Sequence, residues 1–100
     1  MFKRKKKTVF IVEGYGWEKD ISYPMEIEEM VFTNYRKAYK KLLQIEKDIL
    51  NWEDKDDVNT TFIYQDDQPC SRSIITLEVV YKNGNVYNYS ILKRYINWFF

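Results

Sequence analysis

Hydrophobic and polar positions change their spacing several times along the chain, and each change predicts an element of secondary structure. The β-branched and aromatic run at 8–17 predicts a strand, and the partly alternating run at 25–32 predicts a second strand paired antiparallel with it. Glu28 and Glu29 interrupt the alternation of the second strand, and a β-bulge near Glu29 would restore it. The chain therefore opens with a predicted hairpin.

A longer apolar spacing follows and predicts a helix over 35–52. Thr33 or Asn34 is a suitable N-cap for this helix. The acidic segment 53–57 is predicted to be a solvated turn that ends it. The apolar stripe of the helix is predicted to consist of Tyr35, Ala38, Tyr39, Leu42, Ile45, Ile49 and Trp52.

The remaining segments predict three more strands. Residues 59–65 form the third, and the segment that begins at Ser73 supplies a fourth and a fifth joined by a tight loop. A two-residue Asn-Gly turn would set apolar side chains opposite polar ones, so we predict a three-residue loop, 82–84, with Gly84 in the left-handed conformation. The pairs that this loop creates are Val79 with Tyr87 and Leu77 with Tyr89.

The end of the chain permits two structures. Ser90 can cap a short helix, and the rival interpretation is a strand that continues to Ile96. We favour the helix, whose buried stripe would be Ile91, Leu92, Tyr95, Ile96 and Phe99. The predicted fold class is α+β: a single domain with about five antiparallel strands, in the order β-β-α-β-β-β-α, one main helix across the sheet and a short C-terminal helix.

Length and composition agree with one globular domain, since 100 residues with 45% hydrophobic side chains can bury a single core. We expect residues 1–7 to be a basic flexible tail and residues 8–100 to be the domain. The lone Cys70 excludes an internal disulfide, and the apolar run after the basic start is too short for a signal peptide. No stretch approaches the roughly 20 apolar residues of a membrane-spanning helix. These features favour a cytoplasmic protein without a membrane partner.

Composition also limits the chemistry. The chain has no histidine and one cysteine, which excludes Ser-His and Cys-His nucleophile pairs and a structural zinc site. The glycines of "EGYGWE" at 13–18 are not followed by a helix and are expected to mark a bulge or a turn. The acidic segment 53–57 lacks the central glycine and the closing glutamate of a calcium loop. We therefore expect no enzyme, no cofactor and no metal.

Charge is distributed unevenly although the net charge is only +1. The predicted helix carries a cationic surface made of Arg36, Lys37, Lys40, Lys41 and Lys47. Lys37 with Lys41 and Arg36 with Lys40 are like-charge pairs that each cost about 0.2–0.5 kcal/mol. Cations in the first turns also oppose the helix dipole. The surface is either merely solvated or binds an acidic partner, which could be a protein or a nucleic acid.

Two further sets of residues are candidates for binding. The aromatic residues of the first hairpin and its loop are predicted to be exposed anchors for a protein partner: Tyr15, Trp17 and Tyr23. The basic tail offers phosphate contacts for a nucleic acid: Lys3, Arg4, Lys5, Lys6 and Lys7. An exposed edge at 59–65 would permit pairing into a homodimer.

The segments "VFTNYRKAYKKLLQIEKD" and "VVYKNGNVYNYS" resemble those of many small proteins carried by phages and other mobile elements of low-GC bacteria. The resemblance covers about 60 residues. It implies a non-enzymatic α+β protein that binds a host macromolecule, a class that includes inhibitors of bacterial defence nucleases. We therefore expect a protein-binding module that inhibits or adapts a host defence protein with an acidic surface. The alternative is a nucleic-acid-binding domain that uses the basic tail and the basic helix.

Overall fold

The computed structural model describes residues 4–19, 24–64 and 73–99, and in these ranges it contains one helix and five strands. The elements are β1 (Arg4–Trp17), β2 (Met25–Phe32), α1 (Tyr35–Trp52), β3 (Val58–Tyr64), β4 (Ser73–Tyr81) and β5 (Val86–Phe99). The strands form one sheet in the order β2-β1-β5-β4-β3, and every neighbouring pair is antiparallel. The predicted single α+β domain with one antiparallel sheet and one main helix is confirmed.

The bounds of α1 are those that the apolar spacing predicted. Asn34 is the N-cap, because its Oδ1 accepts a hydrogen bond from the backbone N–H of Lys37 at 2.9 Å. Trp52, which the sequence placed on the buried stripe, is 86% exposed. Ile49 and Leu50 are the last side chains of α1 that pack against the core, so the stripe ends before Trp52.

The core lies between α1 and one face of the sheet. Its buried side chains come from α1 and from every strand except β2: Val12, Ala38, Leu42, Ile45, Val58, Ile75, Leu77, Val79 and Ile91. A row of aromatic rings along α1 connects β1 to β3, with centroid separations of 5.9 Å from Phe10 to Tyr35, 6.0 Å from Tyr35 to Tyr39 and 6.1 Å from Tyr39 to Phe62. Part of the aromatic content therefore packs the helix onto the sheet.

The β4–β5 hairpin has the predicted three-residue loop. Gly84 has a φ of +101°, a conformation that glycine adopts without strain, and the backbone N–H of Tyr81 donates to the carbonyl of Asn85 at 2.8 Å. The predicted register is also confirmed, with Val79 opposite Tyr87 and Leu77 opposite Tyr89.

The predicted bulge in β2 exists but lies at a different residue. The pairing with β1 places Glu28 opposite Gly14 and Glu26 opposite Tyr15, so Ile27 is the extra residue. The bulge was predicted near Glu29, which instead pairs regularly with Glu13.

Gly14 and Gly16 lie beside this bulge, as expected, and they also have a packing role. A Cβ atom at Gly14 would lie 2.8 Å from Cδ1 of Tyr89, and one at Gly16 would lie 2.7 Å from Cδ1 of Tyr87. Carbon atoms in contact are normally about 3.5–4.0 Å apart. The two tyrosine rings therefore occupy the space that side chains at these positions would need.

The predicted C-terminal helix is wrong, since β5 continues from Val86 to Phe99. Ile91 and Leu92 are both buried although successive residues of a strand point to opposite faces. Adjacent buried residues of this kind also fit a helical stripe, which is why the sequence favoured a helix. The strand prevails because its second half pairs with β1, from Val9 opposite Arg94 to Arg4 opposite Phe99.

The same pairing changes the assignment of the N-terminal residues. Residues 4–7, predicted to be part of a flexible tail, belong to β1. Residues 1–3 lie outside the described residues. Because β2 starts to pair with β1 only at Phe10, the segments 4–9 and 94–99 form a two-stranded ribbon, called here the basic ribbon, that lengthens the molecule to 60 Å.

Candidate functional site

The strongest candidate for a binding surface is the cationic surface of α1, called here the basic ridge: Arg36, Lys37, Lys40, Lys41 and Lys47. Lys41 is half-buried, and the other four side chains are exposed. The ridge faces away from the sheet because the opposite side of α1 is packed into the core. The helical period thus positions these five predicted residues on one accessible surface.

The cations of the basic ridge make no ion pair within the described part of the chain. The two carboxylates of α1 have other partners. Oε2 of Glu46 accepts a hydrogen bond from Oγ1 of Thr60 at 2.9 Å, and Oδ1 of Asp48 accepts one from Nε2 of Gln44 at 2.8 Å. The ridge therefore retains ammonium and guanidinium donors for an external acidic group.

The basic ridge does not stabilise its own helix. Arg36 and Lys37 lie in the first turn of α1, where cations oppose the helix dipole, and the C-cap residue Glu53 places an anion at the other end. The cap at Asn34 and the burial of apolar side chains such as Leu42 stabilise α1 instead. The charge pattern thus has no explanation in helix stability.

An apolar side chain interrupts the cations. Leu43 is 41% exposed, and it lies on one line along the helix with Arg36, Lys40 and Lys47, because positions i, i+4, i+7 and i+11 share a face. The basic ridge can therefore offer van der Waals contact as well as charge.

The predicted aromatic anchors lie on the other side of the molecule. Tyr15 and Trp17 alternate along β1 with Val12, Gly14 and the other positions that face α1, so their side chains project from the face of the sheet that α1 does not cover. Trp17 is 41% exposed. The third predicted anchor, Tyr23, lies outside the described residues. The basic ridge and these anchors consequently cannot form one continuous surface.

On that second face the sheet forms a groove of about 370 Å³, called here the acidic groove. Its described lining includes Glu13, Tyr15, Trp17, Glu78, Asn88 and Leu92. At its floor the hydroxyl groups of Thr76 and Ser90 share a hydrogen bond at 2.8 Å. Sequence reasoning missed this groove, because it assigned its members to separate strands without knowing which strands are neighbours.

Two further carboxylates flank the acidic groove. Glu29 lies opposite Glu13 and Glu26 lies opposite Tyr15 in the register of β1 and β2. A hydrogen bond between Glu26 and Glu29, followed by the charge of Glu29, raises the pKa of the Glu26 carboxyl. The negative charge of Glu13 is the main cause that raises the pKa of the Tyr15 hydroxyl. Both pKa values are raised because Glu26 and Tyr15 lie on a surface with several neighbouring carboxylates.

The basic ribbon contains four of the five cations that the sequence assigned to a nucleic-acid partner: Arg4, Lys5, Lys6 and Lys7. The fifth, Lys3, lies outside the described residues, and β5 adds Arg94 opposite Val9. The ribbon extends from the end of the sheet where Phe10 contacts Tyr35, which is the first residue of α1. The ribbon and the N-terminal part of the basic ridge therefore lie toward the same end of the molecule.

The acidic segment 53–57 is a hydrogen-bonded turn. Asp54 accepts the backbone N–H of Asp56 through its side chain at 3.0 Å and that of Asp57 through its carbonyl at 2.9 Å. Nowhere among the described residues do three or more acidic or cysteine side chains form a group that could hold a metal ion.

The one helix of the described ranges, α1, does not have the apolar length needed to cross a membrane. In comparisons with protein-family models, curated proteins and solved structures, no match to the chain is found.

Proposed function

We propose that this chain is a non-enzymatic protein-binding module and that its basic ridge binds an acidic surface of a partner protein. One observation carries the proposal: five cations lie on the exposed side of a helix without ion pairs in the described residues, and two of them, Arg36 and Lys37, oppose the helix dipole. Charges placed at a cost to their own helix have an explanation if they complement a partner. Binding would be stoichiometric, as in an inhibitor or adaptor of a bacterial host defence protein.

A protein is favoured over a nucleic acid because the ridge combines charge with apolar surface. Leu43 is exposed between Lys40 and Lys47, and the cores of protein interfaces are enriched in apolar contacts beside arginine. The net charge of +1 is also too small to attract polyanions to the molecule as a whole. The ridge would therefore act by local complementarity.

A second candidate function is nucleic-acid binding, and the basic ribbon favours it. A two-stranded ribbon fits the major groove of DNA, and here it extends from the same end of the sheet as Arg36 and Lys37. Lysine and arginine contacts to phosphate would make this binding steeply dependent on salt.

The test of the ridge is a comparison of two charge-reversed variants. The first carries Lys37→Glu, Lys40→Glu and Lys41→Glu. The second carries Lys19→Glu, Lys55→Glu and Lys82→Glu, which are exposed lysines outside the ridge, so the net charge changes equally. Each protein is used as bait in a host lysate, and retained proteins are identified by mass. We expect the wild type and the second variant to retain the same partner and the first to lose it.

Retention of that partner by the ridge variant would mean that the basic ridge is only a solvated surface. The two candidate functions are separated by titration with generic single- and double-stranded DNA and RNA between 50 and 200 mM salt, a range in which phosphate contacts lose roughly 10³–10⁵-fold in affinity. Micromolar binding that falls in this way would replace the protein-binding proposal by the nucleic-acid one. No binding at 50 mM salt would exclude the nucleic acid.

A further inference from the structure

The acidic groove has a different chemistry from the basic ridge and lies on the other face of the sheet. Its described lining contains two carboxylates, Glu13 and Glu78, and two aromatic rings, Tyr15 and Trp17, but no lysine or arginine. Glu26 and Glu29 add negative charge along the β2 side. A positively charged ligand would therefore complement the described lining of this groove.

The groove also contains an acceptor that the fold leaves unused. Oδ1 of Asn88 is buried and has no hydrogen-bond partner among the described residues. A buried acceptor without a partner is costly, and native proteins retain few of them. Asn88 lies opposite Tyr15 on β1 and opposite Glu78 on β4, in the middle of the groove. Because the oxygen is buried, a ligand donor would reach it after the Asn88 amide rotates toward the groove.

These groups together match one side chain better than any other. The guanidinium of arginine has several N–H donors and no acceptor, so it can donate to carboxylates and to an amide oxygen at once. It also stacks on tyrosine and tryptophan rings. The ammonium of lysine is a more compact charge that lacks the planar fork.

We propose that the acidic groove binds an arginine-bearing basic peptide segment of a partner protein. The arginine lies between Glu13 and Glu78, contacts the rings of Tyr15 and Trp17 and, once the Asn88 amide has rotated toward the groove, donates to its Oδ1. This site is separate from the basic ridge, so one copy of the chain can hold an acidic partner on α1 and a basic segment on the sheet.

Binding is measured with hexa-arginine and hexalysine peptides at 150 mM salt, with ¹⁵N-labelled protein so that amide shifts locate the contact. We expect hexa-arginine to shift amides of β1, β4 and β5 around the groove and to bind several-fold more tightly than hexalysine. Equal affinity for the two peptides would overturn the assignment to arginine, and shifts outside the groove would overturn the site.

Two matched variants separate the groove from general attraction. Glu13→Gln with Glu78→Gln removes two charges from the groove, and Glu53→Gln with Asp56→Asn removes two from the solvated turn. We expect the groove variant to weaken hexa-arginine binding about tenfold and the turn variant to leave it within a factor of about two. If both variants lose the same affinity for hexa-arginine, the peptide is attracted only by the net charge, and the proposal is overturned.

Asn88→Val provides a readout that a purely structural role would not give. Valine is favoured in strands and removes the unpartnered amide, so the variant should be at least as stable as the wild type and yet bind hexa-arginine several-fold more weakly. Unchanged affinity would contradict the contact with Asn88.

The basic-ridge variant with Lys37→Glu, Lys40→Glu and Lys41→Glu should bind hexa-arginine at least as tightly as the wild type. The groove proposal can therefore hold even if the proposed function of the basic ridge is wrong.

Light scattering tests another possible occupant of the groove, a second copy of the chain. If the wild type forms oligomers that disappear both in the ridge variant and in the groove variant, the groove binds the basic ridge of another copy, and the proposal is overturned.

Discussion

At the residue scale, the tyrosines of β5 explain the two glycines of β1. Tyr87 and Tyr89 lie over the backbones of Gly16 and Gly14, where a Cβ atom would be within 2.7–2.8 Å of a ring carbon. Burial also raises the pKa of the Tyr89 hydroxyl to about 12. The motif "EGYGW" therefore leaves the space that these two rings occupy. In the second half of the chain, Phe62, Tyr81, Tyr87 and Tyr89 pack against the core, whereas Trp52, Tyr64 and Tyr95 are exposed.

Glu26 provides a prediction about pH. Its pKa is raised in the folded chain, first by the hydrogen bond with Glu29 and then by the charge of Glu29, so the ionised carboxyl is less favourable in the folded than in the unfolded chain. The destabilisation is present at neutral pH and disappears as the pH falls through the folded pKa and then below the ordinary value of 4.5. Glu26→Gln should therefore raise the midpoint of urea unfolding at pH 7 and leave it unchanged at pH 3.

Asp56→Asn serves as the control for net charge in this comparison, because it removes the same charge from the exposed turn after α1. A stabilisation by Glu26→Gln that persists at pH 3, or an equal effect of Asp56→Asn at pH 7, would show that the interaction of Glu26 with Glu29 is not the cause.

At the element scale, the sequence was informative where the deciding contacts are local. The bounds of α1 follow from its own apolar spacing, and the β4–β5 loop follows from matching side chains across a short hairpin. The C-terminal helix was wrong because β5 is defined by its pairing with β1, whose residues are about 85 positions away in the sequence. No local pattern in 90–99 contains that information.

The first turn of α1 allows a prediction in which a substitution makes the fold more stable but weakens the proposed binding of an acidic partner to the basic ridge. Lys37 is the third residue of the helix after the N-cap Asn34, the position at which glutamate completes a capping box. Lys37→Glu would also remove the repulsion from Lys41 and place a negative charge at the positive end of the dipole. We expect it to stabilise the fold by about 0.5–1.5 kcal/mol in urea unfolding at low salt.

Lys37→Gln separates the loss of the cation from the gain of the anion and should give a smaller stabilisation. In 1 M salt the advantage of Lys37→Glu should diminish, because screening acts within about 3 Å at that concentration. A variant that is no more stable than the wild type at low salt would mean that the charges of the basic ridge do not oppose the helix, which removes the main support for the proposed function.

At the scale of the whole molecule, strand order decides what the candidate residues can do together. The sequence identified the basic ridge and the anchors Tyr15 and Trp17, but only the sheet order separates them onto opposite faces. The acidic groove was not predictable, because it combines residues of β1, β3, β4 and β5. The order of the strands depends on contacts between distant parts of the sequence. It separates the basic ridge from the aromatic anchors, and it also brings the residues of the acidic groove together.

The same order makes the fold depend on its last strand. β1 and β5 are the first and last elements, yet β5 lies in the centre of the sheet between β1 and β4. A chain that ends at Asn85 lacks the buried Ile91 and Leu92, and it leaves β1–β2 and β3–β4 as separate pairs of strands. Two-stranded pairs are marginal in water, so this fragment should be unfolded by circular dichroism and by amide shift dispersion. A chain that ends at Tyr95 keeps both buried residues and the pairing of residues 86–92 with β1 and β4, so it should still fold. A folded fragment 1–85 would contradict the central role of β5, because the total stability of a domain, about 5–15 kcal/mol, could not survive division of its sheet.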